Sequence, residues 1–241
     1  MKRLALGRVI PVIVTLLLVS APSFAASITF ITPAGSNSAS GSPVSAQADF
    51  TTGAGTLTIT LRSLLTNAQM LNASQLLSDL FFTLSTGQTT GTLASSSGTS
   101  ENIDAAGNGV AAGVISTGWV LQNNTPAGSF HLCNIGCAGA ITPSNTIVGG
   151  APGLYANANS SIAGNGPHNP FLYGPVTYNL TIAGVTTATT ITAATFSFGT
   201  AAGDNVPGTP NTPVPEPTSL LLLGTGIAGM ASAIKRRQAK K

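Results

Sequence analysis

The stretch His131-Leu132-Cys133-Asn134-Ile135-Gly136-Cys137 holds the residues with the strongest claim to chemistry. Cys133 and Cys137 are the only cysteines of the chain. In an exported protein, two cysteines four apart most simply close a local disulfide. So short a loop removes little chain entropy, and the bond contributes at or below the low end of the usual ~2–4 kcal/mol. Its effect is then to fix the shape of a turn. The alternative is a metal site, with two thiolates and the His131 imidazole as zinc ligands. It needs a fourth ligand, and export favours oxidation. The expectation is therefore a disulfide, no metal and no cofactor.

Other groups are sparse. His131 and His168 are the only histidines. A Ser/His/Asp triad needs just one, yet neither a G-x-S-x-G elbow nor H-E-x-x-H occurs. His168 lies in a turn-rich stretch, Asn165 to Pro175, and reads as a loop residue. Glu101-Asn102-Ile103-Asp104 followed by Gly107-Asn108-Gly109 offers oxygens to calcium. It departs from the EF-hand pattern and reads as a turn rich in Asp, Asn and Gly. No spacing of carboxylates suggests glycosidic chemistry. Trp119, Tyr155, Tyr173 and Tyr178 either stack on sugars or fill a core. The expectation is no catalytic residue, so the protein is read as not an enzyme.

One more motif carries apparent chemistry. Gly224-Thr225-Gly226-Ile227-Ala228-Gly229 fits the dinucleotide-binding pattern. That turn needs a following helix, a second strand and an acid about 20 residues on. Only twelve residues follow Gly229, and none is acidic. A membrane reading fits better. Thr218 to Ile234 carry no charge. As a helix rising about 1.5 Å per residue they span roughly 25 Å, enough for a thin bilayer core. Lys235, Arg236 and Arg237 follow at once as a membrane stop, with Lys240 and Lys241 behind them. Such a cluster stays cytoplasmic, which leaves the rest of the chain outside.

Val214-Pro215-Glu216-Pro217, then this apolar span, then the basic end, resembles the PEP-CTERM sorting signal. The resemblance covers about 27 residues. It implies that a membrane-embedded exosortase recognises the tail, with Pro215, Glu216 and Pro217 as the sorting motif. It also implies cleavage near that motif and release or transfer of the body. Bacteria with this system are Gram-negative and make polysaccharide. The front end agrees. Lys2, Arg3 and Arg8 precede an apolar run from Val9 to Val19, and Ser23 and Ala25 are small. This reads as a secretory signal peptide, presented to the translocon and cut between Ala25 and Ala26.

Without these ends the balance of charge reverses. The whole chain has nine basic residues and six acids. From Ala26 to Val214 only Arg62 is basic, against Asp49, Asp79, Glu101, Asp104 and Asp204. Phosphate neutralisation has nothing to run on, which excludes nucleic acid as a partner.

The elements that must position these residues are strands. Leu57, Ile59 and Leu61 alternate with threonines, as do Val176, Tyr178, Leu180 and Ile182 with Thr177, Asn179 and Thr181. Phe196 and Phe198 alternate with Thr195 and Ser197. Period two with one polar face predicts half-buried antiparallel strands. Further strands are expected at 28–31, 46–51, 110–121 and 146–148. Leu76, Leu77, Leu80 and Phe81 recur at helical spacing, with Ser74 as a cap, and predict one short helix before a strand. Stretches 34–45, 86–109 and 149–169 read as loops.

The expected fold is all-β: an antiparallel, jelly-roll-like β-sandwich with one short helix, a signal helix and a transmembrane helix. The expected divisions are 1–25 signal peptide, 26–203 body, 204–214 proline-rich linker and 215–241 sorting and anchor segment. The expected function is a non-catalytic exported surface or matrix protein, transiently anchored in the inner membrane, with exopolysaccharide as a partner. The alternative is a secreted lectin-like carbohydrate-binding module, and behind it a secreted hydrolase.

Overall fold

The computed structural model describes residues 27–140 and 145–211. The signal peptide with its cut at Ala25 and Ala26, the motif Pro215-Glu216-Pro217, the apolar span and the Lys235-Arg236-Arg237 stop lie outside them. Among the described residues no helix is long and apolar enough to cross a membrane.

The described chain is all-β. Twelve strands run β1 (Ser27–Ile31), β2 (Ala46–Gly53), β3 (Thr56–Ser63), β4 (Leu77–Leu84), β5 (Thr92–Ile103) and β6 (Gly109–Ile115). They continue as β7 (Val120–Asn123), β8 (Phe130–Cys133), β9 (Phe171–Thr181), β10 (Ile191–Phe198), β11 (Asn205–Pro207) and β12 (Thr209–Asn211). They form two antiparallel sheets, ordered β12-β1-β2-β3-β9-β5-β6 and β11-β10-β4-β8-β7.

Alternation decides which face each sheet hides. In β2 and β3, Ala46, Ala48, Phe50, Leu57, Ile59 and Leu61 point inward and are fully buried. Opposite them stand Leu80, Phe82, Phe130, Leu132, Phe196 and Phe198 of the second sheet. Burying each such large side chain contributes about 1.5–3 kcal/mol. Phe50 sits 5.9 Å from Phe30 and 5.7 Å from Phe82, ring centre to ring centre, so aromatic contacts cross the sandwich. The β2–β3 hairpin turns at Ala54-Gly55, where Gly55 takes φ +70° and so spares a side chain the left-handed strain. A second apolar cluster, including Leu65, Met70, Leu76, Ile103, Tyr155 and Phe171, lies beside the first.

Several expectations change. The helix expected before β4 is absent. Two short 3-10 turns, Asn67–Gln69 and Ala73–Gln75, stand there instead, and the second is capped by the Asn72 side chain accepting from the Ser74 N–H. The leucine spacing arises because Leu77 and Leu80 are fully buried in a strand covered on both faces at its start, while Leu76, just ahead of it, is buried in the second apolar cluster. A doubly buried strand and a helix look alike in a short apolar run. The loop expected at 86–109 contains β5, paired on one side to β9 and on the other to β6. Ser95 and Ser97 face outward while Ser100 is buried, and ladder hydrogen bonds rather than side-chain propensity hold the strand. The strand expected over 110–121 is two, because the chain changes sheets between Ile115 and Val120, through Gly118 at φ +70°. At 146–148 there is only a bridge, but it matters. Ile147 exchanges hydrogen bonds with Leu77 of β4 while its neighbours bond to Leu172 of β9, which laces the two sheets together.

The proline-rich stretch is also not wholly a linker. Residues 205–207 pair with β10 and residues 209–211 pair with β1, so one segment closes an edge of each sheet. Proline fits because β11 and β12 are edge strands, where a missing N–H costs no ladder bond. Gly208 makes the corner between the sheets. A Cβ there would lie 2.8 Å from the Phe196 ring and 3.1 Å from the Ala194 carbonyl oxygen. Val206 packs against the core. Replacing residues 205–211 with a Gly/Ser segment of equal length should therefore lower the thermal midpoint, by about 2–4 °C for each kcal/mol lost. An unchanged midpoint in a thermal melt would show this stretch to be a passive linker.

Candidate functional site

The outward face of the five-stranded sheet gathers the ionisable residues of the His131 stretch. Register places Phe81 of β4 beside His131 of β8, and His131 beside Gln122 of β7. One step along, Asp79 lies beside Cys133, and Cys133 beside Val120. The His131 ring stacks on Phe81, centres 3.9 Å apart and 13° from parallel. Its Nε2 lies 3.9 Å from Asp79 Oδ2. Its Nδ1 lies 3.3 Å from Gln122 Oε1 and 3.8 Å from Cys137 Sγ. Cys133 and Cys137 are joined as a disulfide, with Cα atoms 6.3 Å apart.

Asp79 is buried, and the second job of its carboxylate explains why. Oδ1 accepts the N–H groups of Asn134 at 2.9 Å and Ile135 at 3.2 Å. The Asn134 N–H also reaches the Ser78 carbonyl at 3.2 Å. The carboxylate therefore holds the loop between the cysteines down on the sheet. Spacing alone did not connect Asp79 to the cysteine loop, since the link is cross-strand and 55 residues long. Two members of a Ser/His/Asp triad thus meet here. Among the described residues no serine hydroxyl bonds to either His131 nitrogen.

The other sequence candidates scatter. Asp104 Oδ1 accepts the N–H groups of Ala106 and Asn108 and closes its own turn. These bonds, led by those from Asn108, hold its carboxyl below the ordinary value. Glu101, in contrast, is fully buried. The Tyr155 hydroxyl donates to its Oε1 at 2.5 Å, and Oε2 has no partner among the described residues. Burial raises the Glu101 pKa, opposed by the Tyr155 hydrogen bond, and burial likewise pushes the Tyr155 hydroxyl up. With Glu101 inside and Asp104 outside, the oxygen-rich segment is a strand end and a turn. His168 sits half-buried in the turn at 165–169.

Trp119, Tyr155 and Tyr178 are core residues, with Trp119 Nε1 donating to the Asn145 carbonyl at 2.8 Å. They offer no stacking face to a sugar, and only Tyr173 of the four is half-exposed. A cavity of about 240 Å³ lies near the His131 face, lined by Phe81, Thr83, Ser129, Thr195 and Asn205 among others. No acid, base or thiol lines it.

The outward face of the seven-stranded sheet is different in kind. Cross-strand rows run Thr51-Thr58-Asn179-Ser95 and Asp49-Thr60-Thr177-Ser97. Thr58 donates to Asn179 Oδ1 at 3.1 Å, and Asn179 Nδ2 donates to Ser95 Oγ at 3.0 Å. Asp49 apart, this is a broad field of neutral donors and acceptors. Sequence alternation foretold its threonines, but not the order in which strands line them up.

β12 ends at Asn211, and a recognisable motif follows almost at once. Residues 213–237 match the family model described as the PEP-CTERM protein-sorting motif. The chain carries a PEP-CTERM motif. That motif implies processing by an exosortase and an exported, membrane-transiting protein. No curated protein and no solved structure matches the chain. The PEP-CTERM motif begins two residues after β12, so the sorted cargo is ordered β-structure almost up to the motif itself.

The two perturbed carboxyls give opposite pH signatures in separate windows. The raised Glu101 contributes stability that is full below its ordinary value of 4.5 and is lost as pH rises through the folded value. The lowered Asp104 contributes stability that is present above 3.8 and is lost as pH falls through the folded value. In urea titrations at pH 7, 5 and 3, Glu101→Gln should abolish the gain between pH 7 and 5 that the parent shows. Asp104→Asn should soften the loss below pH 4. A Glu101→Gln chain with the parent's profile above pH 4.5 would contradict the assignment.

Proposed function

We propose that the protein is a non-catalytic component of the cell surface or of an extracellular polysaccharide matrix, delivered by exosortase sorting of its tail. In this reading the body is an adhesive cargo rather than an enzyme. The observation that carries it is the neutral hydroxyl and amide field on the seven-stranded sheet. Thr58 and Thr60 of β3 and Thr177 and Asn179 of β9 present donors and acceptors in register across the two adjacent strands. Sugar hydroxyls match such groups one for one. Each neutral hydrogen bond nets only about 0.5–1.5 kcal/mol, so useful affinity requires many at once along a polymer. A repeating polysaccharide supplies that repetition through multivalency. With Arg62 as its single cation, the body also has little to hold it on phosphate-rich polymers.

Removing residues 213–237 should leave the body misplaced in fractionated cells, while the intact chain reaches the surface or medium. In co-sedimentation with the producing cell's own polysaccharide, Thr58→Val, Thr60→Val and Thr177→Val together should lower retention at least about tenfold, the effect of ~1.4 kcal/mol. Each alone should change it little. Retention unaffected by the triple change would remove this face from the proposal. Turnover of ester, peptide or glycoside substrates by the purified chain would overturn the non-catalytic reading.

A further inference from the structure

The disulfide loop is held in place by something other than the disulfide. Asp79 Oδ1 grips the Asn134 and Ile135 N–H groups, and the Ser78 carbonyl adds a third bond. Opening the S–S bond therefore leaves both sulfurs on the sheet beside His131. The ligand atoms of His131, Cys133 and Cys137 already lie within 4.8 Å of one another. Tetrahedral zinc, with Zn–S about 2.3 Å and Zn–N about 2.0–2.1 Å, requires edges of about 3.8 Å between sulfurs and about 3.5 Å from sulfur to nitrogen. Cys137 Sγ stands 3.8 Å from His131 Nδ1, close to the second of these.

The surroundings suit a metal ligand as well. Stacking on Phe81 fixes the His131 ring plane. Asp79 Oδ2 faces the other ring nitrogen, Nε2, which is buried and has no hydrogen-bond partner among the described residues. A proton on Nε2, turned toward this carboxylate, leaves the Nδ1 lone pair free for a metal. Cys133 is buried, whereas Cys137 is half-exposed, so the fourth position opens toward solvent. Gln122 Oε1 is at its rim, 3.3 Å from Nδ1.

We propose that the reduced chain binds one soft or borderline divalent cation, such as zinc, through His131 Nδ1, Cys133 Sγ and Cys137 Sγ, with water in the fourth position. The oxidised chain is the closed form of the same site. A phosphine reductant takes up the oxygen of one water, becomes the phosphine oxide and leaves two thiols. Binding of the cation then releases two protons as both thiols become thiolates. The site makes the disulfide loop a redox-gated metal trap, separate from the polysaccharide face on the other sheet.

The test uses the full chain, reduced with a phosphine and titrated with cobalt(II) as a coloured stand-in for zinc. The expected result is one equivalent bound, with thiolate-to-cobalt charge-transfer absorption that zinc abolishes. The unreduced chain should show none. Cys133→Ser or Cys137→Ser should remove the band, and His131→Ala should weaken binding at least about tenfold. Asp79→Asn should weaken binding by the 10–100-fold typical of outer partners of a metal ligand, while His168→Ala should leave it unchanged. Circular dichroism and Trp119 fluorescence report whether the reduced chain keeps its fold. No stoichiometric binding, binding indifferent to His131, or unfolding on reduction would each overturn the proposal.

Discussion

From Ala26 to Val214 the chain has a single cation, Arg62, and five acids. That scarcity of charge constrains everything else, because ion pairs cannot orient the parts. Geometry has to come from buried apolar faces, backbone ladders and neutral hydrogen bonds. The two sheets therefore stack Phe30, Phe50, Phe82 and their neighbours in one core, and the chain laces them at Ile147 and again at Gly208. Edges that other proteins blunt with lysine are here closed at β11 and β12 by proline. Where a loop must be pinned, a buried amide does it. Gln75 accepts the N–H groups of Leu71 and Asn72 and donates to the carbonyls of Pro43 and Gln69.

Against that neutral background the two buried acids stand out, and they are used differently. Asp79 is satisfied by backbone N–H groups and organises a loop. Glu101 is satisfied on one oxygen only, by Tyr155, and Gly109 leaves room for the other, since a Cβ at Gly109 would come within 2.4 Å of Oε2. The first anchors a chemically capable cluster. The second is a buried group whose charge the fold disfavours. Both lie away from the threonine field, so the two outer faces of the sandwich have separate characters. One is broad and, Asp49 and Arg62 apart, neutral; the other is partly covered and carries sulfur, imidazole and carboxylate.

The sorting tail and the all-β class were legible because each has a short-range signature. Hydrophobicity bounded by positive charge, with Pro215-Glu216-Pro217 ahead of it, needs no fold to be read. Period-two alternation likewise marked β3, β9 and β10. Legibility failed where neighbours rather than local pattern decide. β4 is buried on both faces at its start and so lost its alternation. β5 is mostly serine and threonine, with a glycine, between Ser95 and Ser100, and is a strand only because β9 and β6 flank it. The aromatic residues could not be sorted into core or surface by type, and Trp119 and Tyr178 proved to pack on each other, 5.2 Å apart.

The amino-acid sequence by itself determined the sorting motif, the all-β class and the pairing of its two cysteines as the simplest outcome. These rest on composition and on residues within a few positions of one another. Only the tertiary structure decided that Asp79 holds the cysteine loop, that Glu101 is buried against Tyr155, and that threonines from distant strands share one face. Those contacts cross 54 to 121 residues of chain. Strand order sets them, and strand order is chosen by how two half-apolar sheets hide their faces from water, a property of the whole body that no short window contains.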